Sequence, residues 1–477
     1  MKTRIARVLS AAGAAALLCL FTALGGAASA AADSEGVKGT PQPELKPFSI
    51  GTSNGAGSVA IEPSGGLVVA YGIPTKNADG ATAVCLLNRG GHACTTRVTL
   101  SPLGGDDLFG PSEVFIPSAN HVVVLQGGCC NDPAAGGDLL WTSTDGGKTF
   151  TPVRIGTLGV SAAALVGGDI VFTEGDTSAG AQVEGVPATG ATGPPATIAT
   201  AITQEAFDVG VGSYRGGALI AADDDTTDYT TRVAYAAAGT NFDASASYAV
   251  VGTFAHEQLV GISGDALLTE KTTGNNALEL RIFNGKSFGA AHAVPDTAGG
   301  GPEWFAIDTD PSGRVHVFNE STHLSPIYDL FEESTATGAS WSTPVNLGNA
   351  EDSTTFGVGL DRDGSGLVLG TNNAIGYPVL AAQGVSFTLS KSSIAKGATV
   401  TGSGKGSAPA KGRLIELQQL RSGLWYTIAT AHESASGAFS FKIKGSSAGT
   451  LTYRAVASDL AGYVLYGYSA SRSLKVS

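Results

Sequence analysis

The sequence predicts an all-β fold built from repeated four-stranded sheets, and three observations carry this prediction. The first is composition: of 477 residues, 67 are Gly, one is Met and only 14% are charged, which suits many tight turns better than long amphipathic helices. The second is a turn motif that recurs along the chain. The third is a series of paired short apolar segments, each pair joined by a turn of Gly, Asn or Asp.

The fullest copy of the turn motif has the form Ser143-x-Asp145-x-Gly147-x-x-Phe150 and lies between two segments that read as strands. The Ser and Asp side chains can bond the backbone amides of the turn, and Gly147 can adopt a positive φ. Phe150 can fold under the loop and cover its apolar side. The motif therefore predicts a β-hairpin turn stabilised by its own side chains.

The same spacing of a glycine and an aromatic residue returns later in the chain. The copy at Ser334, Gly338 and Trp341 lacks only the Asp. Successive copies are separated by 56, 46, 46, 46 and 53 residues, at Gly91, Gly147, Gly193, Gly239, Gly285 and Gly338. A period near fifty, made of short strands and turns, is what a four-stranded blade of a β-propeller requires.

The motif resembles the Asp-box of the sialidase-like β-propellers, also called the BNR repeat, where it joins the third and fourth strands of a blade. Sialidases of this family carry an Arg-Ile-Pro motif whose arginine binds the substrate carboxylate. The corresponding position here is Gly72-Ile73-Pro74, with glycine in place of the arginine. The resemblance therefore implies the scaffold of the family rather than sialidase activity.

Inner strands are predicted to begin near Ser58 and near six later positions, which are Glu113, Ser161, Glu205, Glu257, Glu303 and Thr354. We expect seven blades, or six if one of these starts is misread. The last blade lacks an outer strand, and the segment from Lys46 to Gly51 resembles the outer strands of other blades. We expect this segment to complete the last blade and close the ring, because an open ring would leave edge strands unpaired.

The two ends of the chain differ from the repeats. Residues 1–30 carry a basic start, an apolar run and Ala28-Ser29-Ala30, which predict a secretory signal peptide, and residues 31–43 read as a disordered lead-in. The propeller is expected over residues 44–384. Residues 385–477 contain seven short alternating segments and resemble the Ig-like β-sandwich repeats of exported bacterial proteins.

Charge excludes two classes of partner. Without Lys2, Arg4 and Arg7 of the leader, 25 basic residues stand against 41 acidic ones. Such a field disfavours nucleic acid and anionic membranes. No later segment reaches membrane-spanning length, so we expect a secreted monomer without a membrane span.

Four cysteines remain after removal of the leader. Cys85 and Cys94 flank a plausible hairpin and could form a disulfide in an oxidising compartment. Cys129 and Cys130 are adjacent and could pair with each other or with the first two. Three pairings are possible, and the sequence does not choose between them.

Four predicted inner strands begin with a glutamate, at Glu113, Glu205, Glu257 and Glu303. If these carboxylates converge at the channel mouth, their repulsion raises some pKa values unless a cation lies among them. They could instead be exposed caps of backbone amides, or catalytic carboxylates. Trp304 follows the last of them and offers an aromatic surface beside polar groups.

A second acidic group could bind Ca²⁺. Asp223, Asp224, Asp225 and Asp228 supply hard oxygen ligands on a predicted loop. A solvated acidic hairpin tip is the alternative interpretation.

The sequence thus predicts an exported β-propeller that binds an extracellular glycan, peptide or other polymer at the mouth of its central channel, without catalysis. The first alternative is an exo-acting glycosidase of the sialidase-like superfamily that uses carboxylates from the glutamate set. The second is a structural or adhesive surface protein. The fold alone does not decide among these functions.

Overall fold

The computed structural model describes residues 46–477 apart from internal gaps, and all structural statements refer to the described residues. The gaps are 54–56, 74–80, 102–107, 129–137, 156–159, 175–179, 190–198, 203–207, 225–228, 243–245, 274–276, 296–304, 322–328, 343, 351–355, 362–363, 371–373, 381–383, 408–410, 422–423 and 459–466. The predicted signal peptide and lead-in lie outside the described residues.

The described chain is all-β and contains no helix. Its first 28 strands form antiparallel groups of four in chain order, except that β1 (Phe48–Ser49) joins the last group. The first two groups are β2 (Gly57–Ile61), β3 (Leu67–Ile73), β4 (Ala81–Leu87), β5 (Thr96–Leu100), and β6 (Leu108–Ser118), β7 (His121–Gly128), β8 (Asp138–Ser143), β9 (Thr151–Ile155). The next two are β10 (Ala162–Val166), β11 (Asp169–Glu174), β12 (Ala181–Pro187), β13 (Ala199–Ile202), and β14 (Val209–Tyr214), β15 (Gly217–Asp224), β16 (Thr230–Ala236), β17 (Ala249–Ala255).

The remaining groups continue the pattern. They are β18 (Glu257–Ser263), β19 (Ala266–Lys271), β20 (Leu278–Ile282), β21 (His292–Ala293), then β22 (Phe305–Thr309), β23 (Val315–Ser321), β24 (Asp329–Thr335), β25 (Val345–Asn349), and finally β26 (Phe356–Leu360), β27 (Gly366–Gly370), β28 (Ile375–Val379) with β1. Five of these groups are separate four-stranded sheets. The strands from β14 to β21 form one eight-stranded sheet, because a parallel pair, Thr230 and Glu257, joins its two halves.

The first strands of neighbouring groups lie side by side and form a closed ring. Each of β2, β6, β10, β14, β18, β22 and β26 contacts the next, and β26 contacts β2. Six of these seven strands are edge strands of their sheets, and the seventh, β18, pairs with β16 only at Glu257, so the ring lines a central space with strand edges. This arrangement is consistent with a β-propeller-like fold.

The N-terminal strand completes the last sheet, as predicted. Phe48 pairs with Gly376 and Ser49 with Ile375, in antiparallel register. The amide of Ile50 donates to the carbonyl of Ala374 at 2.8 Å, and the Phe48 ring stacks on His92 with centroids 4.6 Å apart. The expectation that the two ends of this region meet is confirmed.

The hydrophobic core lies between neighbouring sheets. One cluster joins Val68 of the first group to Val124 of the second, and another joins Phe318 of β23 to Val368 and Tyr377 of the last group. The middle strands are buried almost completely, and β15 is buried along its whole length. Because each sheet buries both faces against its neighbours, the near-continuous apolar runs of the middle strands follow from the packing.

The C-terminal region forms two further sheets. Its strands are β29 (Val385–Leu389), β30 (Ser393–Ile394), β31 (Thr399–Gly406), β32 (Leu414–Arg421), β33 (Leu424–His432), β34 (Ala438–Lys444), β35 (Gly449–Ala457), β36 (Gly467–Tyr468) and β37 (Arg472–Val476). One sheet has the order β29-β31-β34, and the other has β30-β37-β35-β32-β33 with β36 beside β35. Residues of both sheets share one apolar core, including Phe387, Phe441, Ile415 and Tyr453. The seven segments predicted here are strands, and the structure adds two short ones.

The turn after β8 is held by the side chains that the motif predicts. The Gly147 amide donates to Ser143 Oγ at 2.9 Å, and the amides of Lys148 and Thr149 each donate to Asp145 Oδ1 at 3.0 Å. Gly147 has φ +80°, and Phe150 packs against the core between the first two groups. The turn joins the third and fourth strands of its sheet.

The second copy of the turn differs in one contact. Thr335, not Ser334, supplies the oxygen that accepts the Gly338 amide at 2.9 Å, and its own hydroxyl donates to the Ser340 carbonyl at 2.8 Å. Ser334 is buried in β24, and its amide donates to Ser342 Oγ. Gly338 has φ +76°, and Trp341 packs against an apolar cluster. The Thr335 hydroxyl thus does in this copy what the Ser143 hydroxyl does in the first, where it accepts the amide of Gly147.

One of the predicted cysteine pairings is present. Cys85 of β4 forms a disulfide with Cys94 across the following hairpin. Cys129 and Cys130 lie outside the described residues. The described chain also contains no helix of sufficient length and hydrophobicity to span a membrane.

Candidate functional site

The inner strands enclose a cavity of about 750 Å³. All seven ring strands contribute to its wall, and most of the lining residues are glycine, alanine or aliphatic. The polar side chains of the wall are few. They are Ser58, Glu113, Ser213, Ser263, Asp308 and Thr309.

The first carboxyl group of the wall is Glu113, on β6. Ser58 Oγ on the neighbouring strand β2 donates to Glu113 Oε2 at 2.8 Å and accepts the amide of Val114 at 3.1 Å. The serine therefore bridges two edge strands whose backbone groups would otherwise remain unpaired. Oε1 of Glu113 has no hydrogen-bond partner among the described residues.

The second carboxyl group, Asp308 on β22, repeats this arrangement. Ser263 Oγ on the neighbouring strand β18 donates to Asp308 Oδ1 at 3.0 Å and accepts the amide of Thr309 at 2.9 Å. Thr309 Oγ1 adds a bond to the Ser263 carbonyl at 2.8 Å. In both pairs one serine hydroxyl binds the carboxyl of the acid at position i and the backbone amide of residue i+1. Within the described chain, Oδ2 of Asp308 accepts no hydrogen bond.

Both cavity carboxyls have raised pKa values. Burial is the main cause for Glu113 and raises its pKa to about 7; the Ser58 hydrogen bond opposes the rise, and the charge of Asp308 adds to it. Burial also raises the pKa of Asp308 to about 6, against the hydrogen bonds from Ser263 and Thr309 and the positive charge of His316. The two acids therefore interact electrostatically and titrate near neutral pH.

A buried ion cluster lies beside Asp308. Nδ1 of His316 is 2.8 Å from Glu332 Oε1, and Nε2 is 3.3 Å from Asp310 Oδ2. Burial alone would lower the pKa of His316, but the two carboxylates more than compensate and raise it to about 9. Asp310 also accepts the amides of Ser312 and Arg314. His316, on β23, is thus tied through Asp310 to the turn that follows the cavity strand β22.

Glu257 does not line the cavity. It is the first residue of β18 and is buried, and Arg281 donates to its Oε2 at 2.6 Å and to its Oε1 at 2.8 Å. Thr269 Oγ1 donates to Oε2 at 2.7 Å. Both oxygens of this carboxylate are therefore engaged inside the sheet. Its position in the strand also differs from that of Glu113, which lies in the middle of β6.

Asp223 and Asp224 are buried at the end of β15 rather than exposed on a loop. Asp223 accepts Thr231 Oγ1 at 2.6 Å and the amide of Leu259 at 2.7 Å, and Asp224 forms an ion pair with Arg232. Asp223 thereby ties β16 to β18 within the eight-stranded sheet. In the part of the chain that the structure describes, no group of three or more His, Cys, Asp or Glu side chains is arranged to hold a metal ion.

Several predicted site residues lie outside the described residues. These are Glu205, Glu303, Trp304, Asp225 and Asp228. Of the two described members of the glutamate set, Glu113 lines the cavity and Glu257 does not.

Sequence reasoning missed three residues of the cavity wall. The sequence Asp308-Thr309-Asp310-Pro311 is typical of a turn, and Ser58 and Ser263 belong to no motif. A possible signal was the recurrence of a serine in one inner strand and an acid in the next. The separations of 55 and 45 residues are close to the period of the repeats.

Comparisons with known proteins give only distant likenesses. No protein-family model matches the chain, and no curated protein matches it. Among solved structures, AofleA from Arthrobotrys oligospora is 12% identical with a TM-score of 0.35, covering 87% of this chain and 96% of that one. The protein lmo1340 from Listeria monocytogenes EGD-e is 13% identical with a TM-score of 0.37, covering 70% and 97%. A bifunctional GH43-CE protein of Bacteroides eggerthii is 10% identical with a TM-score of 0.30, covering 91% and 59%. The function of this chain therefore has to come from its own residues.

Proposed function

We propose that the chain is an exported, monomeric β-propeller of seven blades and the Asp-box type, followed by an Ig-like β-sandwich. Counting the eight-stranded sheet as two blades gives seven around the ring, which supports this blade number. The hydrogen bonds of Ser143 and Asp145 support the Asp-box assignment. The single core shared by the two C-terminal sheets supports the sandwich, and the sequence of residues 1–30 supports export.

The proposed function is binding of an extracellular glycan or polypeptide in the central cavity, without turnover. The observation that carries it is the pair of carboxyls, Glu113 and Asp308, each with one oxygen free of described partners, in a cavity large enough for a sugar or a side chain. A ligand bound in the cavity can supply hydrogen bonds to these two oxygens. The glycine-rich wall also offers strand edges to a bound polymer.

The composition of the wall favours binding over sialidase-like catalysis. Enzymes of that family use a Tyr nucleophile with a Glu and an Asp acid/base. Among the described residues of the cavity wall there is no Tyr, His or Cys. The described wall therefore offers carboxyls and hydroxyls for hydrogen bonding but lacks the Tyr nucleophile that this family uses.

Glycoside hydrolysis is the second candidate, and one observation favours it. Two carboxyls in one cavity with pKa values of about 7 and about 6 resemble the acid and base that such a reaction needs. Glu113 would be the acid and Asp308 the base. Turnover of any chromogenic glycoside that is abolished in Glu113→Gln would establish this candidate over binding.

The test of binding uses the mature chain, residues 31–477, on glycan and peptide arrays, with calorimetry of the hits. Ser213→Trp places a large ring at the cavity wall and should weaken binding at least tenfold. Ser440→Trp makes the same change on an exposed position of β34 and should bind as the wild type does. Circular dichroism and melting temperature establish that both variants fold. Binding that survives Ser213→Trp, or no binding by the wild type, would refute the proposal.

A further inference from the structure

The charge of the cavity is unbalanced. Glu113 and Asp308 contribute two carboxyls, and no Lys, Arg or His lines the cavity among its described residues. His316 carries the nearest positive charge to Asp308, and it is buried between Asp310 and Glu332. When both cavity acids ionise, the cavity therefore holds negative charge that the described wall does not neutralise.

The two acids lie on opposite sides of the ring. Glu113 is on β6 and Asp308 on β22, with two inner strands between them along one arc and three along the other. Each acid has its second oxygen free of described partners, while its first oxygen is fixed by a serine of the neighbouring strand. Both acids line the same cavity, and the charge of Asp308 acts on Glu113 across it. A cation in the cavity therefore interacts with both charges, and the serines hold the carboxyls in place for it.

Resting on the proposed function, we propose that the ligand presents a protonated amine to the cavity, where Glu113 and Asp308 compensate its charge and their free oxygens, Oε1 and Oδ2, can accept its hydrogen bonds. An ammonium group supplies three hydrogen-bond donors and the compensating charge in one compact group. An amino sugar and a lysine side chain both carry it. A neutral hydroxyl group would satisfy a hydrogen bond but would leave the two carboxylates repelling each other.

The proposal makes binding depend on pH. A carboxyl must be ionised to pair with the amine, and the groups that act on these two are Ser58 and Asp308 for Glu113, and Ser263, Thr309, Asp310 and His316 for Asp308. Because the pKa values are about 7 and about 6, affinity should rise between pH 5 and pH 8. The rise should be on the order of tenfold, since one ionisation over a full pH unit is worth a factor of ten.

The experiment compares matched probes by calorimetry. One arm uses the tetramer of glucosamine and its fully N-acetylated form, measured at pH 6, where the amine is protonated. The other arm uses a tetrapeptide containing lysine and its Nε-acetyl form, measured from pH 5 to pH 8, where the lysine amine stays charged. We expect the amine form to bind at least tenfold more tightly in at least one arm, which identifies the source of the amine.

The variants test the two carboxyls. Glu113→Gln and Asp308→Asn keep the size of each side chain and should each reduce the preference for the amine form at least fivefold, and Glu416→Gln, in the C-terminal sheets, should leave it unchanged. If a variant fails to fold, the wild-type pH series with the lysine peptide still decides the matter.

The failures of the two proposals are distinguishable. Equal binding of amine and acetylated forms, a flat pH series, or a preference that survives both substitutions would overturn the amine proposal. If such binding is still lost in Ser213→Trp, the cavity remains the binding site and only its amine preference is refuted. If no probe and no array ligand binds, both proposals fail.

Discussion

The carboxyl of Glu113 is held where its charged form is disfavoured, and Ser58 offsets only part of this effect. A group whose pKa is raised by folding binds its proton more tightly in the native state than in the unfolded chain. Native stability then falls as pH rises from the unfolded pKa to the native one. For Glu113 this window runs from 4.5 to about 7.

Glu113→Gln should therefore stabilise the protein at high pH only. At pH 4 the acid is protonated in both states and the variant should unfold like the wild type. At pH 8 the variant should be more stable by on the order of 2 kcal/mol, since one pKa unit corresponds to about 1.4 kcal/mol. Urea unfolding at the two pH values, with Glu416→Gln as the control, measures the difference. A variant that is less stable than the wild type at pH 8 would show that the charged carboxylate of Glu113 does not destabilise the native state.

His316 also makes the stability of the protein fall as the pH rises, but over a higher pH range. Its pKa is raised from 6.5 to about 9 by Asp310 and Glu332, so its contribution is complete below pH 6.5 and is lost as pH rises through 9. Wild-type stability should fall by on the order of 2 kcal/mol between pH 6.5 and pH 9.5. In His316→Gln this fall should be absent, although the variant is less stable overall because it leaves two buried carboxylates without their cation. The same slope in both proteins would show that His316 is not charged at neutral pH.

At the level of single residues, the sequence did not predict which side chains pair across strands. The acid at Glu257 and the arginine at Arg281 look unrelated in the chain, yet they form a buried two-hydrogen-bond pair. The four glutamates were predicted to be equivalent, but Glu113 lies within its strand and Glu257 begins its own. A shift of a few residues changes which side chains reach the cavity, and local patterns do not determine such shifts.

Elements of the chain were more predictable, because their signals are local. Four glycines of the repeat, Gly147, Gly239, Gly285 and Gly338, adopt positive φ, as a motif that demands glycine requires, whereas in the first copy Gly90 and not Gly91 does. The C-terminal strands follow from alternation alone, for example in β34, where buried and exposed residues alternate without exception.

The contribution of Asp145 to the turn after β8 can be measured. Asp145 accepts two amides and the Thr149 hydroxyl, and these bonds hold the pKa of its carboxyl well below the usual range. Asp145→Ala should lower the melting temperature and speed hydrogen exchange of the Lys148 and Thr149 amides. Lys148→Ala, which keeps those bonds, should do neither. Unchanged exchange in Asp145→Ala would mean that Gly146 and Gly147 alone hold the turn.

The whole ring depends on a strand from far away in the chain. Phe48 and Ser49 pair with β28, and Ile50 is buried behind them. The position of Phe48 and Ser49 was predictable because the segment from Lys46 to Gly51 resembles the outer strands. The order of the sheets around the ring was predicted from the repeat alone. Without this strand, β28 becomes an open edge.

Truncation measures what this strand contributes. A chain starting at residue 46 should melt like a chain of residues 31–477. A chain starting at residue 54 should melt roughly 5–10 °C lower, since it loses the burial of Phe48 and Ile50, and should associate through the open edge. Calorimetry and size-exclusion chromatography report the two effects. Equal melting of both truncations would show that the ring is stable without its N-terminal strand.

The pairing of Phe48 with Gly376 also determines when the ring can close during synthesis of the chain. Phe48 cannot pair until Gly376, more than three hundred residues later in the chain, has been synthesised. Until then, every sheet before the last belongs to an incomplete circle. The final folding step of the ring is therefore the pairing of its earliest strand with a late-made one.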